Sequence, residues 1–151
     1  MAQINRVPID FDDAFPFGAY VLGVTALRDF DASTKDREVQ QRDKDTGELV
    51  WIADCIDGDA EGRGEKQFKV KITAPVQPVP PPALAGTPFR PVEFEHLTVT
   101  AYVDASRCTA PKPGQAHRCR AKAAVSYNAT GLRAPTAGAK RPTSGPDPKA
   151  A

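Results

Sequence analysis

The sequence predicts an all-β fold: a small five-stranded barrel with a proline-rich connector between strands 3 and 4 and a disordered C-terminal tail. Three observations predict it. Several short segments alternate apolar and polar residues with the period of two that a half-buried strand requires. Asp, Asn and Gly residues that favour turns separate these segments. Residues 74–91 contain seven prolines, which excludes a ladder strand or a long helix from that stretch because proline lacks a backbone donor.

The first three strands are predicted on the N-terminal side of the connector. Residues 19–30 are apolar and strand-like, and Gly23 is a candidate bulge where a curved sheet turns. Residues 48–57 carry apolar side chains on both faces, which is typical of a buried central strand. Residues 66–72 alternate cleanly, with Phe68, Val70 and Ile72 on one face and Gln67, Lys69 and Lys71 on the other. One face of this third strand is therefore expected to be cationic.

Two further strands are predicted after the connector, over residues 97–105 and 119–129. A long strand, a two-strand meander, a crossover and a closing hairpin form the layout of the OB-fold, a small five-stranded barrel. A six-stranded sandwich or an SH3-like barrel fits the strand count nearly as well. The connector is interpreted as a rigid spacer in preference to a proline-rich docking motif.

The predicted domain organisation has three parts: an N-terminal arm over residues 1–17, an OB-like β-barrel domain over 18–131, and a disordered basic tail over 132–151. The arm mixes phenylalanines with aspartates. It is interpreted either as an ordered lead-in to the first strand or as a segment that docks a partner.

Charge is distributed unevenly along the 151 residues, although the net charge is only +1. Residues 1–65 contain 15 acidic and 7 basic side chains, whereas residues 66–151 contain 4 acidic and 13 basic ones. Such asymmetry indicates an anionic partner, or complementary faces that meet in a homodimer. The alternative, that the two halves neutralise each other within one fold, is about equally well supported.

The sequence also predicts where the protein is found. No apolar run approaches the roughly 18 residues of a membrane span, and acidic residues stand where a secretory signal needs an apolar core. A cytoplasmic location without membrane attachment is therefore expected. The three cysteines are too few for a disulfide scaffold, and because their number is odd they cannot all pair.

Catalytic chemistry finds no support in the residue pattern. Neither of the two histidines, His96 and His117, belongs to a nucleophile–base constellation. The glycine-rich stretch 57–64 is acidic and would repel phosphate. We therefore expect a non-enzymatic protein with no catalytic residues and no cofactor.

Two groups of residues suggest metal sites, but another interpretation is preferred for each. Residues 43–47 begin like a calcium loop, but Gly47 stands where an oxygen ligand belongs, so an ordinary hairpin turn is favoured. Cys108, His117 and Cys119 can supply three zinc ligands, but their spacing fits no standard finger. A pair of reduced cysteines that closes the two ends of a hairpin is the preferred interpretation.

Nucleic acid is the partner class with the strongest support. In OB barrels, the face of strands 2 and 3 and the loops between strands 1 and 2 and strands 4 and 5 bind single strands. Basic residues fall on two of these elements, and Tyr102 is placed to stack on a base, whereas Trp51 is interpreted as core. The predicted nucleic-acid-binding residues are Lys66, Lys69, Lys71, Tyr102, Arg107, Lys112, Arg118, Arg120 and Lys122.

Three segments, VPIDFDDAFPFGAYVLG, RDFDASTKDREVQQRDKDTGELVWIADCIDGD and KQFKVKI, together with the proline-rich connector, resemble a known family. The family consists of plasmid replication, integration and excision activators of actinobacterial conjugative elements, and the resemblance covers residues 6–130. The layout also resembles that of the single-strand DNA-binding proteins of filamentous phages, at the level of fold. The resemblance to the plasmid activators implies a role in the replication or transfer of a mobile element.

The expected function is therefore that of a single-stranded DNA-binding accessory protein for a conjugative plasmid or integrative element. The alternative is a protein-interaction adaptor, or a regulator of plasmid replication or excision, that docks a replication initiator or another mobile-element protein. No recognition helix is evident, which disfavours a helix-turn-helix activator.

Overall fold

In the computed structural model, residues 5–109 and 112–136 are described, and they form one curled half-barrel sheet of eight strands with a single short helix. The strand order across the sheet is β1-β6-β7-β4-β3-β2-β5-β8. The elements, in chain order, are β1 (Val7–Pro8), α1 (Phe11–Ala14), β2 (Ala19–Ala26), β3 (Val50–Asp57), β4 (Gln67–Thr73), β5 (Arg90–Glu95), β6 (Thr98–Asp104), β7 (Lys122–Ala129) and β8 (Gly131–Arg133). No helix in this part of the chain has the length and apolar character needed to cross a membrane.

The predicted fold class is confirmed, but the prediction of a five-stranded closed barrel is wrong. The five predicted strands correspond to β2, β3, β4, β6 and β7, and three further strands complete the sheet. Two of these, β1 and β8, have two and three residues. Alternation cannot be recognised over so few residues, so these strands leave no signal in the sequence.

The third additional strand, β5, lies partly inside the stretch from which the prolines were expected to exclude any ladder. Pro91 pairs with Tyr20 of β2, whereas the pairing of β5 with β8 begins only at Glu93. At Pro91 the strand therefore has a neighbour on one side alone, and a missing N–H is tolerated at such an edge. The rest of the connector has no strand or helix, as expected.

The central meander follows the prediction closely. β2, β3 and β4 pair antiparallel in sequence order, and the register between β2 and β3 shifts between Val21 and Gly23. This irregularity confirms the bulge expected at Gly23. β3 is buried on both faces over much of its length, as a central strand should be.

A sharp corner bends the closing hairpin and curls the sheet. Glu95 pairs with Gly131 and Thr98 pairs with Asn128, so one register runs unbroken from the β5–β8 ladder into the β6–β7 ladder. His96 turns the chain between β5 and β6 with a φ of 50°, and its Nδ1 lies 2.7 Å from the Thr130 hydroxyl. β5 consequently pairs with β2 while β7 pairs in parallel with β4.

The N-terminal arm is attached to the hydrophobic core mainly through Phe15, with Ile9, Phe11 and Ala14 packed against the core. β1 pairs with β6, and the Phe15 side chain that follows α1 is only 3% exposed. The Phe15 ring stacks on Phe68 at a centroid distance of 4.7 Å and lies 5.2 Å from the Tyr127 ring. Of the two interpretations of the arm, the geometry supports the ordered lead-in.

The sheet also continues beyond the predicted start of the tail at residue 132. Leu132 and Arg133 belong to β8, which pairs with β5. The buried Glu93 carboxylate accepts hydrogen bonds from the Thr136 hydroxyl at 2.8 Å and from the Arg133 guanidinium at 3.3 Å. These contacts tie residues 132–136 to the fold. The rest of the predicted tail, 137–151, lies outside the described residues.

The turn before β3 is an Asp-based hairpin turn, as the sequence predicts. The Asp43 carboxylate, with only 4% of its side chain exposed, accepts a hydrogen bond from the Arg6 guanidinium at 2.8 Å. It also accepts from the backbone N–H groups of Asp45 and Thr46, at 2.9 and 3.1 Å. Its oxygens are therefore occupied by donors within the chain, and Gly47 closes the turn with a φ of 74°.

We expect Asp43→Ala to lower the free energy of unfolding by about 2 kcal/mol, because it leaves two turn amides and a guanidinium without their acceptor. Asp43→Asn is the matched control, since its amide oxygen still accepts from the turn while the ion pair is lost; it should cost less. Urea denaturation followed by Trp51 fluorescence measures both. Equal stability of Asp43→Ala and the wild-type protein would contradict this account of the turn.

The same ion pair predicts a pH dependence. The hydrogen bond from Arg6 is the largest influence on the Asp43 carboxyl and holds its pKa below the ordinary value, against the opposing effect of burial. A carboxyl with a lowered folded-state pKa stabilises the protein fully above its unfolded pKa of about 3.9. That stabilisation should disappear as the pH falls below about 4, and Asp43→Asn should flatten this part of the stability profile.

Candidate nucleic-acid interface

One surface of the sheet brings together several of the predicted binding residues. We call it the outer face, and it consists of the solvent-directed side chains of β4, β7 and β6. The opposite side of the same strands carries core residues such as Val70 and Tyr127. The period of two along each strand separates the two sets. The members of the outer face are Gln67, Lys69, Lys71, Thr73, Thr98, Thr100, Tyr102, Asp104, Lys122, Ala124, Ser126 and Asn128.

Strand register places these side chains in rows. Lys71 of β4 is level with Asn128 of β7, which in turn pairs with Thr98 of β6. Along the hairpin, Thr100 pairs with Ser126. Neighbouring strands lie about 4.8 Å apart. The rows therefore form a polar surface. Its lysine ammonium groups, the Asn128 amide and the Ser126 hydroxyl can donate hydrogen bonds to phosphate oxygens. The Thr98 and Thr100 hydroxyls already donate to backbone carbonyl oxygens.

The three lysines predicted near β4 have different surroundings. Lys71 is exposed, and no carboxylate in the described part of the chain lies within ion-pair distance of it. Lys69 is also exposed but sits 3.3 Å from the Asp54 carboxylate, a surface pair of little energetic consequence. The Lys66 ammonium donates instead to the carbonyl oxygens of Asp59 and Gly62. Lys66 therefore stabilises the turn before β4, and its ammonium group does not belong to the outer face.

Cations are also concentrated in the hairpin loop, residues 105–121, of which 110–111 fall outside the described residues. Four predicted basic residues in this loop are exposed: Arg107, Lys112, Arg118 and Arg120. The nearby carboxyl, Asp104, pairs across the ladder with Lys122. Its pKa is lowered, first by hydrogen bonding from Ser106 and then by the charges of Lys122 and Arg107. The loop thus extends the positive charge of the outer face beyond the sheet.

Tyr102 is the one exposed aromatic residue of the outer face, with 51% of its surface accessible. Trp51 and Tyr127, by contrast, lie in or against the core. The Trp51 indole is half-buried and donates to the Ala74 carbonyl at 3.0 Å, as its core interpretation predicted. The Tyr127 ring packs against Phe15 and Phe68, and burial raises the pKa of its hydroxyl.

A polar cleft of about 520 Å³ adjoins the outer face and has no signal in the sequence. Lys71 and Asn128 lie on its β4–β7 side, and the N-terminal arm and the turn before β3 supply the rest. Because four separated segments build it, no local pattern could have revealed it. Its cationic residues are Arg6, Arg42, Lys44 and Lys71, and its carboxylates are Asp43 and Asp45.

The candidate zinc ligands do not converge. The Sγ atoms of Cys108 and Cys119 lie 3.9 Å apart, which supports the interpretation of a cysteine pair at the ends of the hairpin loop. His117 does not complete a ligand group with them: within residues 5–109 and 112–136 no three His, Cys, Asp or Glu side chains are arranged to hold a metal ion.

Comparisons with known proteins add no further assignment: a scan against protein-family models and searches of curated proteins and of solved structures found no match. The resemblance to plasmid replication, integration and excision activators therefore stays a prediction.

Proposed function

We propose that this protein binds single-stranded DNA on the outer face and hairpin loop and has no enzymatic activity of its own. The observation that carries the proposal is the shared orientation of Lys69, Lys71, Tyr102 and Lys122 on adjacent strands. Cations neutralise phosphates, and an exposed aromatic ring stacks on a base of any sequence. The expected binding is therefore tolerant of sequence and sensitive to salt.

The pairing of the strands supports the interpretation of the sheet as OB-like. β2 pairs with β3 on one side and with β5 on the other, and β4 pairs in parallel with β7. OB-type sheets are partly open Greek-key barrels that bind single strands on strands 2 and 3 and on the loops that join strands 1 to 2 and 4 to 5. The corresponding elements here are β3, β4, the segment 27–49 and the hairpin loop, and of these the proposed DNA contacts lie on β4 and the hairpin loop. The outer face and the polar cleft lie on or beside these elements.

A fluorescence-anisotropy titration with a labelled oligothymidylate tests the proposal. We expect saturable binding at low salt, and the logarithm of the association constant should fall linearly with the logarithm of salt concentration, by about 0.7 per phosphate contact. A duplex of the same length should bind more weakly, because its bases cannot stack on Tyr102. Absence of binding at low salt, or binding that salt does not affect, would refute the proposal.

We expect Tyr102→Ala to weaken oligothymidylate binding by about tenfold, since stacking on one aromatic side chain is worth about 1–3 kcal/mol per base. Tyr102→Phe is the matched control, because it keeps the ring and removes only the hydroxyl group. It should bind nearly as well as the wild-type protein. If the alanine and phenylalanine variants bind alike, Tyr102 does not stack.

The biological setting is proposed on the sequence resemblance alone. A protein of this kind would cover single-stranded DNA exposed during the replication or transfer of a conjugative plasmid or integrative element. Replication initiators and other proteins of the element are the expected protein partners.

An adaptor function is the second candidate, and an apolar pocket of about 370 Å³ favours it. Tyr20, Ile56, Leu84 and Phe89 line the pocket, and 42% of Leu84 and 37% of Phe89 is exposed. The adjoining turn, 57–66, has four acidic and two basic residues. The pocket therefore suits an apolar side chain of a partner protein that is flanked by basic residues.

A purified replication initiator from the same element tests the adaptor. In nuclease-treated samples, the initiator should bind the wild-type protein and not Phe89→Asp, whereas single-stranded DNA binding should be equal in both. If the initiator fails to bind, or binds the variant equally well, the pocket is not its docking site.

A further inference from the structure

Two cysteines stand at the ends of the hairpin loop, close enough to react with each other. The β6–β7 ladder ends at the pair Asp104–Lys122, and the chain then leads to Cys108 on one side and Cys119 on the other. Their Sγ atoms are 3.9 Å apart. The Arg120 backbone N–H also donates to the Cys108 sulfur at 3.4 Å, which holds the two chain segments side by side.

We propose that Cys108 and Cys119 form a reversible oxidation site whose disulfide closes the hairpin loop and strengthens its binding to single-stranded DNA. The regulatory half of this inference rests on the proposed function, whereas the disulfide itself does not. A disulfide requires the sulfurs to approach to about 2.05 Å. The remaining displacement is small for side chains in a loop, where rotation about χ1 is not restricted by a packed core.

Cys108 and Cys119 differ from Cys55 in their exposure to an oxidant in solution. Cys119 is exposed and Cys108 is partly exposed, so a small molecule can reach both sulfurs. Cys55 is only 1% exposed in the core, and burial, with a smaller contribution from the Asp54 charge, raises the pKa of its thiol to about 12. Because the thiolate is the reactive form, Cys55 should stay reduced while the protein is folded.

A small-molecule disulfide such as glutathione disulfide is the oxidant that balances the reaction. The thiolate of one cysteine attacks a glutathione sulfur, forms a mixed disulfide and releases one glutathione thiolate. The second cysteine then attacks the protein sulfur of the mixed disulfide and releases the other glutathione. The protein loses two electrons and two protons, and two molecules of glutathione carry them away. A dithiol reductant reverses both steps.

Closing the loop changes the proposed binding surface directly. Lys112 and Arg118 lie within the ring that the disulfide would close, and Arg107 and Arg120 adjoin its two ends. A loop closed by a disulfide loses less conformational freedom than an open loop when its cations bind phosphates. We therefore expect the oxidised protein to bind oligothymidylate about fivefold more tightly than the reduced protein, given the entropy of several ordered side chains.

The first experiment locates the disulfide without reference to DNA. The full chain is incubated with glutathione disulfide under native conditions, remaining thiols are alkylated, and peptides are analysed by mass spectrometry. A Cys108–Cys119 linkage with Cys55 alkylated only after denaturation is the expected result. Stable glutathione adducts on Cys108 or Cys119, or a linkage that includes Cys55, would overturn the proposal. Cys119→Ser should retain one glutathione on Cys108, which verifies that the mixed disulfide is the intermediate.

The second experiment compares the oligothymidylate affinity of oxidised and reduced protein, with the Cys108→Ser/Cys119→Ser variant as control. Oxidant should strengthen binding by the wild-type protein and leave the variant unchanged. Equal affinity of the two wild-type forms would overturn the regulatory role even where the disulfide is present. If neither form binds DNA, the proposed function fails, whereas the peptide analysis still decides whether the oxidation site exists.

Discussion

Replacing Phe15 with alanine should lower the free energy of unfolding by about 4 kcal/mol, the largest effect expected of any single substitution in this chain. Phe15 is 3% exposed, and its ring lies within 6.5 Å of the rings of Phe11, Phe68, Phe94 and Tyr127. Truncation would leave a cavity bordered by rigid aromatic groups, which cannot collapse to fill it. Urea denaturation measures the change through the shift in midpoint.

Phe17→Ala is the matched control for this prediction. Phe17 follows two residues later, carries the same side chain and is 47% exposed. Its truncation should change stability by less than about 1 kcal/mol, as expected for a surface substitution. If the two variants are equally stable, residues 9–17 do not pack against the core. The arm would then be a loosely attached segment that is available to a partner.

The largest functional effect should come from reversing two charges on the outer face. Lys71→Glu/Lys122→Glu should weaken oligothymidylate binding by at least about tenfold at low salt, because each substitution removes a cation and adds a repulsive carboxylate. The slope of log affinity against log salt should shrink by about 1.4, at about 0.7 for each lost phosphate contact. Both lysines are exposed, so the fold should be unaffected, and the thermal midpoint verifies this.

A second double variant controls for net charge. Lys35→Glu/Arg63→Glu makes the same change in total charge at two exposed positions that are not on the outer face. It should reduce affinity much less and leave the salt slope nearly unchanged. Equal losses of affinity in the two double variants would mean that DNA binding depends on the overall charge of the protein. The outer face would then not be the DNA-binding site.

The features that sequence predicted correctly are those that local pattern determines. Alternation along β4 separates Lys69 and Lys71 from Val70 and Ile72, and the strand burial follows it. Gly23 marked the bulge because glycine accommodates an irregular backbone. Tyr102 was distinguished from Trp51 by its polar neighbours on the same face, and the two differ in exposure as expected.

The features that sequence missed depend on contacts between distant segments. The parallel pairing of β4 with β7 and the corner at His96 bring the hairpin beside the meander, and neither leaves a periodic signal. The polar cleft needs the Arg6–Asp43 pair to fix the arm against the turn. Lys66 was assigned to the binding surface together with Lys69 and Lys71, but its ammonium donates to carbonyl oxygens of the preceding turn.

The most direct test of the account maps where single-stranded DNA contacts the protein. Amide chemical shifts of isotopically labelled protein are followed by NMR during titration with an oligothymidylate. The account predicts that the largest changes fall on Lys69, Lys71, Tyr102, Lys122, Ser126 and the hairpin loop, while Tyr20, Phe89 and the turn 57–66 change little. Binding that shifts the apolar pocket or only residues 137–151, and leaves the outer face unchanged, would contradict the account.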